Sequence, residues 1–187
     1  LLDNFAVAKL AFEEAEDSAK INIRQLCLDG PEDELKLTAN TQPCILTHSV
    51  ALWRVLKEET DFSPDLFAGH SLGEYSALVA AGVLDLGQAA MLVRKRGEAM
   101  QEAVPAGVGA MAAVMNVPAV DLIARCESVS DDQARVEVVN FNSPQQLVVA
   151  GHKTSVDALC AGLEKDGMRF VPLAVSAPFH SSLMAPA

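Results

Sequence analysis

Up to about residue 107 the apolar positions mostly follow helical spacing, and from about 108 the period shortens. A 3.6-residue period marks amphipathic helices and a two-residue period marks strands. Residues 3–19 read as a helix, with Phe5, Ala8, Leu10 and Phe12 set among the acidic run Glu13 to Asp17. The segment "PEDEL" (31–35) places a proline and acids where a first helical turn accepts them. Residues 43–59 read as a long helix opened by Pro43, with Trp53 and Leu56 on its dry side and Arg54, Lys57 and Glu58 on its wet side. "DLFAG" (65–69) is short and apolar and reads as a buried strand. "LGEYSALVAAG" (72–82) reads as a helix closed by Gly82, and Asp85 is placed to cap another helix to about Gln101.

The second stretch reads differently. Residues 108–115, 134–141, 145–151 and 169–175 suit strands, with an Asn-Ser-Pro turn between the middle two. Pro118 opens a helix to about Glu127, and Thr154 or Ser155 caps one to about Lys165. Strand–helix–strand–strand–helix–strand is the split order of a ferredoxin-like subdomain. The expected fold class is therefore α/β. Residues 1–107 and 176–187 form an α/β-hydrolase-like core, and residues 108–175 a ferredoxin-like subdomain.

Charge and composition narrow the function classes. The chain has 187 residues, half of them hydrophobic, and a net charge of −11. That acidity argues against a nucleic-acid binder. No apolar run is long enough to span a bilayer, and no secretory leader is readable. Cys27, Cys44, Cys126 and Cys160 have neither zinc-site nor redox spacing, so four reduced thiols in a cytoplasmic protein are expected. No metal site is expected. The chain starts without methionine, directly in a helical pattern, and is expected to be a piece of a longer polypeptide.

The chemistry centres on Gly69-His70-Ser71-Leu72-Gly73. A serine between two glycines, after a strand and before a helix, is the pattern of a nucleophile elbow. Small neighbours permit the sharp turn, and the helix N-terminus favours developing negative charge. The backbone N–H of Leu72 is the natural oxyanion donor. The alternative is a plain N-cap hydroxyl. A nucleophilic serine needs a base. His48 lies in an otherwise apolar-rich helix and reads as packed or half-exposed. His70 adjoins the serine, where it shapes the pocket or supports the turn. His152 sits in a polar turn and is expected to face solvent. His180 follows a strand, downstream of the serine, and is the best candidate base. No aspartate is an obvious third member, and a backbone carbonyl would serve as well.

With Ser71 and His180 in place, the segments "GHSLGEYSAL", "RKRGEAMQEAVPAGVGAMAAV", "VNFNSP", "VVAGHK" and "VSAPFHSSLM" resemble the malonyl-CoA:acyl carrier protein transacylase family. That family includes the acyltransferase domains of fatty-acid and polyketide synthases. The likeness is good over residues 31–187 and looser before them. It implies Ser71 as the acyl carrier and His180 as general base and then acid. Arg96 would pair with the substrate's free carboxylate, work that suits a planar guanidinium. Without the resemblance Arg96 reads as one of three surface charges with Arg94 and Lys95. Gln42 would line the pocket, and Asn140 and Asn142 would lie beside the cleft. Phe179, before the histidine, goes with malonyl rather than methylmalonyl units. Two family features have no match here: an N-terminal loop that gives a second oxyanion donor, and a C-terminal segment that orients the histidine.

The implied function is malonyl transfer from malonyl-CoA to the phosphopantetheine thiol of acyl carrier protein. No bound cofactor is implied, because phosphopantetheine arrives on both substrates. A monomer or a domain of a larger synthase is expected. A basic patch from Arg54, Lys57, Arg94, Lys95 and Lys153 would dock the acidic carrier. A serine hydrolase or thioesterase, and a non-catalytic docking module, are the rival functions.

Overall fold

A computed structural model describes residues 1–175 and 177–187. Ser176, inside the "VSAPFHSSLM" segment, lies outside the described residues. The chain divides into two compact units, Leu1–Glu98 and Ala99–Ala187.

The first unit is helical among its described residues: α1 (Ala6–Ala19), α2 (Ile23–Leu28), α3 (Glu32–Lys36), α4 (Thr38–Glu59), α5 (Gly73–Ala80) and α6 (Leu86–Glu102), the last running into the second unit. The apolar stripe of α1 is Ala8, Ala11, Phe12, Ala15 and Ala19, at three- and four-residue steps. Leu10 falls off that stripe and is exposed. The stripe joins Cys44, Leu46, Val50 and Ala51 of α4 and Leu86, Ala89, Ala90 and Val93 of α6 in one core. Alanine-rich faces let helices approach closely. Arg54 pairs with Glu14 at 2.8 Å, tying α4 to α1 at the partly exposed rim.

Three expectations fail here. α4 begins at Thr38, so Pro43 lies inside the helix rather than opening it. Asn40 Nδ2 donates to the Glu34 carbonyl and Thr41 Oγ1 donates to the Leu37 carbonyl, which starts the helix a turn earlier. Leu56 of α4 is exposed, because the buried stripe runs through Pro43, Leu46, Thr47 and Val50 instead. The segment 65–69 is not a strand. A strand needs a hydrogen-bonding partner strand, and none lies among the described residues of this unit. Leu66 is 87% exposed there.

The second unit holds the sheet: β1 (Gly109–Met115), α7 (Ala119–Ser128), β2 (Val136–Ser143), β3 (Gln146–His152), α8 (Lys153–Lys165), β4 (Phe170–Pro172) and a 3₁₀ turn at Ser182–Met184. The order is β2-β3-β1-β4, with every neighbouring pair antiparallel. Alternation along the strands separates two faces. Ala112, Val114, Leu147 and Val149 pack on Leu122 and Cys126 of α7 and Val156, Leu159 and Leu163 of α8. Met111, Ala113, Val148 and Ala150 form the opposite face, which Leu173 and Phe179 partly cover. The hairpin turn is Pro144-Gln145, so Asn142 and Ser143 belong to β2 rather than to the turn. α8 starts at Lys153, with His152 at its N-cap position and no side-chain cap, so neither Thr154 nor Ser155 caps it. Ser155 is buried inside the helix. No helix among the described residues is long and apolar enough to cross a membrane.

On α7, Leu122 is fully buried while Val120 is 73% exposed. Leu122→Ala is expected to destabilise the protein by about 2–5 kcal/mol. Val120→Ala should stay within about 0.5 kcal/mol. Denaturant unfolding monitored by circular dichroism checks both.

Candidate active site

Ser71 has φ +54, a left-handed backbone that a serine rarely adopts. The turn that holds it is closed by Gly73 N–H donating to the His70 carbonyl at 2.8 Å and Glu74 N–H donating to the Ser71 carbonyl at 3.2 Å. Close approach explains the first glycine of the pattern. A Cβ on Gly69 would fall on the carbonyl group of Gly73, whereas one on Gly73 would meet nothing within 4 Å. Leu72 occupies the N-cap of α5, where backbone N–H groups have no intrahelical acceptor. Its N–H is thus available to an oxyanion above Ser71. Ser71 is half-buried and His70 exposed.

Arg96 is bound to this turn. Its Nη2 donates to Ser71 Oγ at 3.1 Å and its Nη1 donates to Gln42 Oε1 at 2.6 Å. Gln42 is only 5% exposed, and its Nε2 donates to Thr38 Oγ1 at 3.1 Å. The guanidinium also lies 5.8 Å from the centre of the Tyr75 ring. Three elements therefore converge on one cation: α4 through Gln42, the head of α5 through Ser71 and Tyr75, and α6 through Arg96 itself. The α4–α6 approach depends on Gly97, whose Cβ would lie 2.6 Å from the Ala39 Cα and 2.6 Å from the Thr38 carbonyl oxygen. Arg94, one turn before Gly97, donates to Asn40 Oδ1 at 3.4 Å and pairs with Glu98 at 3.2 Å.

Asn140, Asn142, Phe179 and His180 belong to the second unit. The ladder between β2 and β3 shifts register between Val138 and Asn140 and again between Phe141 and Ser143. Such bulges re-aim side chains. Asn140 is half-buried, and Asn142 Nδ2 donates to Gln146 Oε1 at 2.9 Å. His180 is exposed and has φ +65. Its turn is clamped on both sides. Pro178 is buried against Gly109, where a Cβ would strike the proline ring. Ser181 Oγ donates to the Pro178 carbonyl at 2.7 Å, and the Ser182 N–H donates to Glu137 Oε2 at 2.7 Å. Phe179 packs on the Met111–Ala150 face of the sheet.

His48 is exposed on α4. His152 is half-buried rather than solvent-facing, because its Nδ1 accepts from the Arg135 N–H at 3.0 Å. Tyr75, Thr38, Gly97 and Glu137 were not anticipated. A glycine inside a helix, directly after Arg96, was a legible sign of close packing. Nothing local marked the other three.

The chain matches the acyl transferase domain family over residues 1–187. It is 45% identical over 185 residues to the malonyl CoA-acyl carrier protein transacylase of Escherichia coli (strain K12), covering 98% of this chain and 60% of that protein. The crystal structure of an acyl-carrier-protein S-malonyltransferase from Burkholderia pseudomallei superposes with a TM-score of 0.93 at 46% identity, covering 99% of this chain and 60% of the other. A malonyl-transacylase solved with its type II polyketide-synthase acyl carrier protein gives a TM-score of 0.94 at 46% identity, with 99% and 60% covered. The chain belongs to the acyl transferase domain family. It spans about 60% of the length of the curated relatives it matches.

The two glycines of the elbow carry different loads. Gly69→Ala is expected to cost about 3 kcal/mol, since backbone must move to admit the methyl. Gly73→Ala, in open space at the first helical position, should stay within about 1 kcal/mol. Thermal unfolding of the two variants measures the difference.

Proposed function

We propose that the protein transfers a malonyl group from malonyl-CoA to the phosphopantetheine thiol of acyl carrier protein through an ester on Ser71, in fatty-acid or polyketide synthesis. The observation that carries this is the Arg96 fork, hydrogen-bonded at once to Gln42 and to Ser71. A guanidinium beside a serine nucleophile suits an acyl group that ends in a carboxylate. A neutral acyl group would leave that cation without a substrate partner. The names and structures of the similar proteins favour the same substrate and the same carrier.

The steps follow from the groups. The malonyl carboxylate pairs with Arg96, which Gln42 and the Tyr75 ring hold in place. Ser71 attacks the thioester carbon, and the new oxyanion is met by the Leu72 N–H and the head of α5. His180 takes the serine proton and returns it to the departing CoA thiol. The carrier's phosphopantetheine thiol then attacks the ester, with His180 again as base. This is ping-pong acyl transfer. Thioester, oxyester and thioester are close in energy, so no external energy source is needed. Phosphopantetheine enters on both substrates, and neither a resident cofactor nor a metal takes part. His70 borders the pocket. Asn140 and Asn142 lie beside the cleft, and Phe179 fills the space that an α-methyl group would need.

The fold reading that goes with this function is an α/β-hydrolase-like core of residues 1–107 and 176–187, with a ferredoxin-like subdomain at 108–175. The antiparallel order β2-β3-β1-β4 supports the subdomain. A cytoplasmic location and a monomer, or a domain of a larger synthase, accompany the same reading. Of the basic residues proposed for carrier docking, Arg54, Arg94 and Lys153 each pair with a carboxylate of their own unit. Lys57 lies over the Trp53 ring. Docking through them would exchange these contacts for the carrier's acids.

Intact mass of the purified full-length protein tests the proposal. Malonyl-CoA should add one malonyl group, and holo acyl carrier protein should remove it. Ser71→Ala should lower transfer at least about 10³-fold. Rapid loss of the adduct to water would point to a hydrolase. No adduct at all would point to a docking module.

A further inference from the structure

Thr38 is the first residue of α4 and is half-buried. Gln42 lies four residues on, which puts the two side chains on one face of the helix. Gln42 Nε2 donates to the Thr38 hydroxyl at 3.1 Å, while Gln42 Oε1 accepts from Arg96 at 2.6 Å. Arg96 donates in turn to Ser71 Oγ at 3.1 Å. Thr38, Gln42, Arg96 and Ser71 thus form one hydrogen-bonded chain inside the first unit. Its outer end is pinned by α6. A Cβ on Gly97 would strike the Thr38 carbonyl oxygen, so α6 lies directly against this residue. Asn40, two residues further along α4, accepts from Arg94 of α6 at 3.4 Å.

We propose that Thr38 is a positioning residue for acyl selectivity, its hydroxyl holding the Gln42 amide where that amide seats the Arg96 fork. The inference rests on the reading of Arg96 as the partner of the malonyl carboxylate. An amide has two unlike edges, an oxygen that accepts and an NH2 that donates. A guanidinium only donates, so the oxygen edge must face Arg96. The NH2 edge is then turned toward Thr38, whose hydroxyl oxygen accepts from it. Gln42 is only 5% exposed, and an amide donor that loses its acceptor in so dry a place is costly. A branched Cβ restricts the threonine rotamer, and the backbone beneath it is held by the α6 contacts. The hydroxyl is therefore a fixed point from which Gln42 can be placed.

Removing the hydroxyl leaves the amide two courses. It keeps its place with Nε2 deprived of that acceptor, or it rotates to regain one and carries Oε1 away from Arg96. Both weaken the seat of the fork. The guanidinium then keeps Ser71 Oγ and the Tyr75 ring, whose centre is 5.8 Å away, but its plane is no longer set for an incoming carboxylate. That plane matters, because paired guanidinium–carboxylate bonds need both of their N–H groups aimed together. A neutral acyl group makes no such demand. Thr38 therefore acts on malonyl loading, through Gln42, and spares acetyl loading. A residue that merely supports the start of α4 would affect both thioesters alike.

The test compares the full-length wild type with Thr38→Val, Thr38→Ala and Thr38→Ser. Intact mass follows the loading of Ser71 from malonyl-CoA and from acetyl-CoA, and thermal unfolding checks each variant. Valine keeps the shape of threonine without its hydroxyl, whereas serine keeps the hydroxyl. Thr38→Val should raise the malonyl-CoA concentration for half-maximal loading about 10-fold, with the maximal rate and acetyl loading within about twofold of wild type. Thr38→Ser should stay within about threefold of wild type for both thioesters. Thr38→Ala should follow the valine variant, and it decides the matter if the valine variant folds poorly. An undiminished malonyl preference in the hydroxyl-free variants overturns the proposal, as does equal slowing of both thioesters. So does a serine variant that behaves like the valine one. A wild type that loads the two thioesters equally overturns the malonyl reading and this inference with it. Where the wild type prefers malonyl and the hydroxyl-free variants prefer it as strongly, the inference alone falls.

Discussion

Arg96 makes two hydrogen bonds from one planar group, to Gln42 on α4 and to Ser71 at the head of α5. Most of the local architecture of the first unit serves that fork. α6 can present it only because Gly97 lets the helix backbone approach Ala39 and Thr38. Gln42 can receive it because its own amide is spent on Thr38 within a nearly dry site. Tyr75 gives the guanidinium an aromatic surface. A cation so fixed loses little freedom when it meets a carboxylate, and that is where charge-assisted pairs gain their selectivity.

The same economy appears in the backbone. Ser71 and His180 both sit in left-handed conformations, at φ +54 and φ +65. For residues with a Cβ, such backbones cost free energy and persist only where surroundings hold them. At Ser71 the hold is the close passage of Gly69 over Gly73 and the start of α5. At His180 it is the seating of Pro178 on Gly109, the Ser181 hydroxyl on the Pro178 carbonyl, and Glu137 on the Ser182 N–H. Each unit thus builds its own strained turn from its own packing.

What the sequence disclosed follows from what is local. The glycine–serine–glycine turn, the continuous apolar runs of β1 and β3, and the closing Gly82 are patterns within a few residues, and they appear where expected. What depends on distant partners was not legible. The run at 65–69 has strand-like residues but no neighbouring strand among those described. Pro43 looks like a helix start until Asn40 and Thr41 anchor an earlier turn on the segment before it. Arg96 reads by spacing as one of three surface charges, and only the family likeness singles it out. Its bonds to residues 54 and 25 positions away explain why.

The central claim is that Arg96 makes Ser71 selective for an acyl group bearing a carboxylate. The most direct measurement is the ratio of Ser71 loading by malonyl-CoA to loading by acetyl-CoA, in the wild type and in Arg96→Ala. The ratio should favour malonyl in the wild type and fall about 10²-fold in the variant, chiefly by loss of malonyl loading with acetyl loading kept. An unchanged ratio, with both thioesters reacting as before or both slowed alike, would contradict the account.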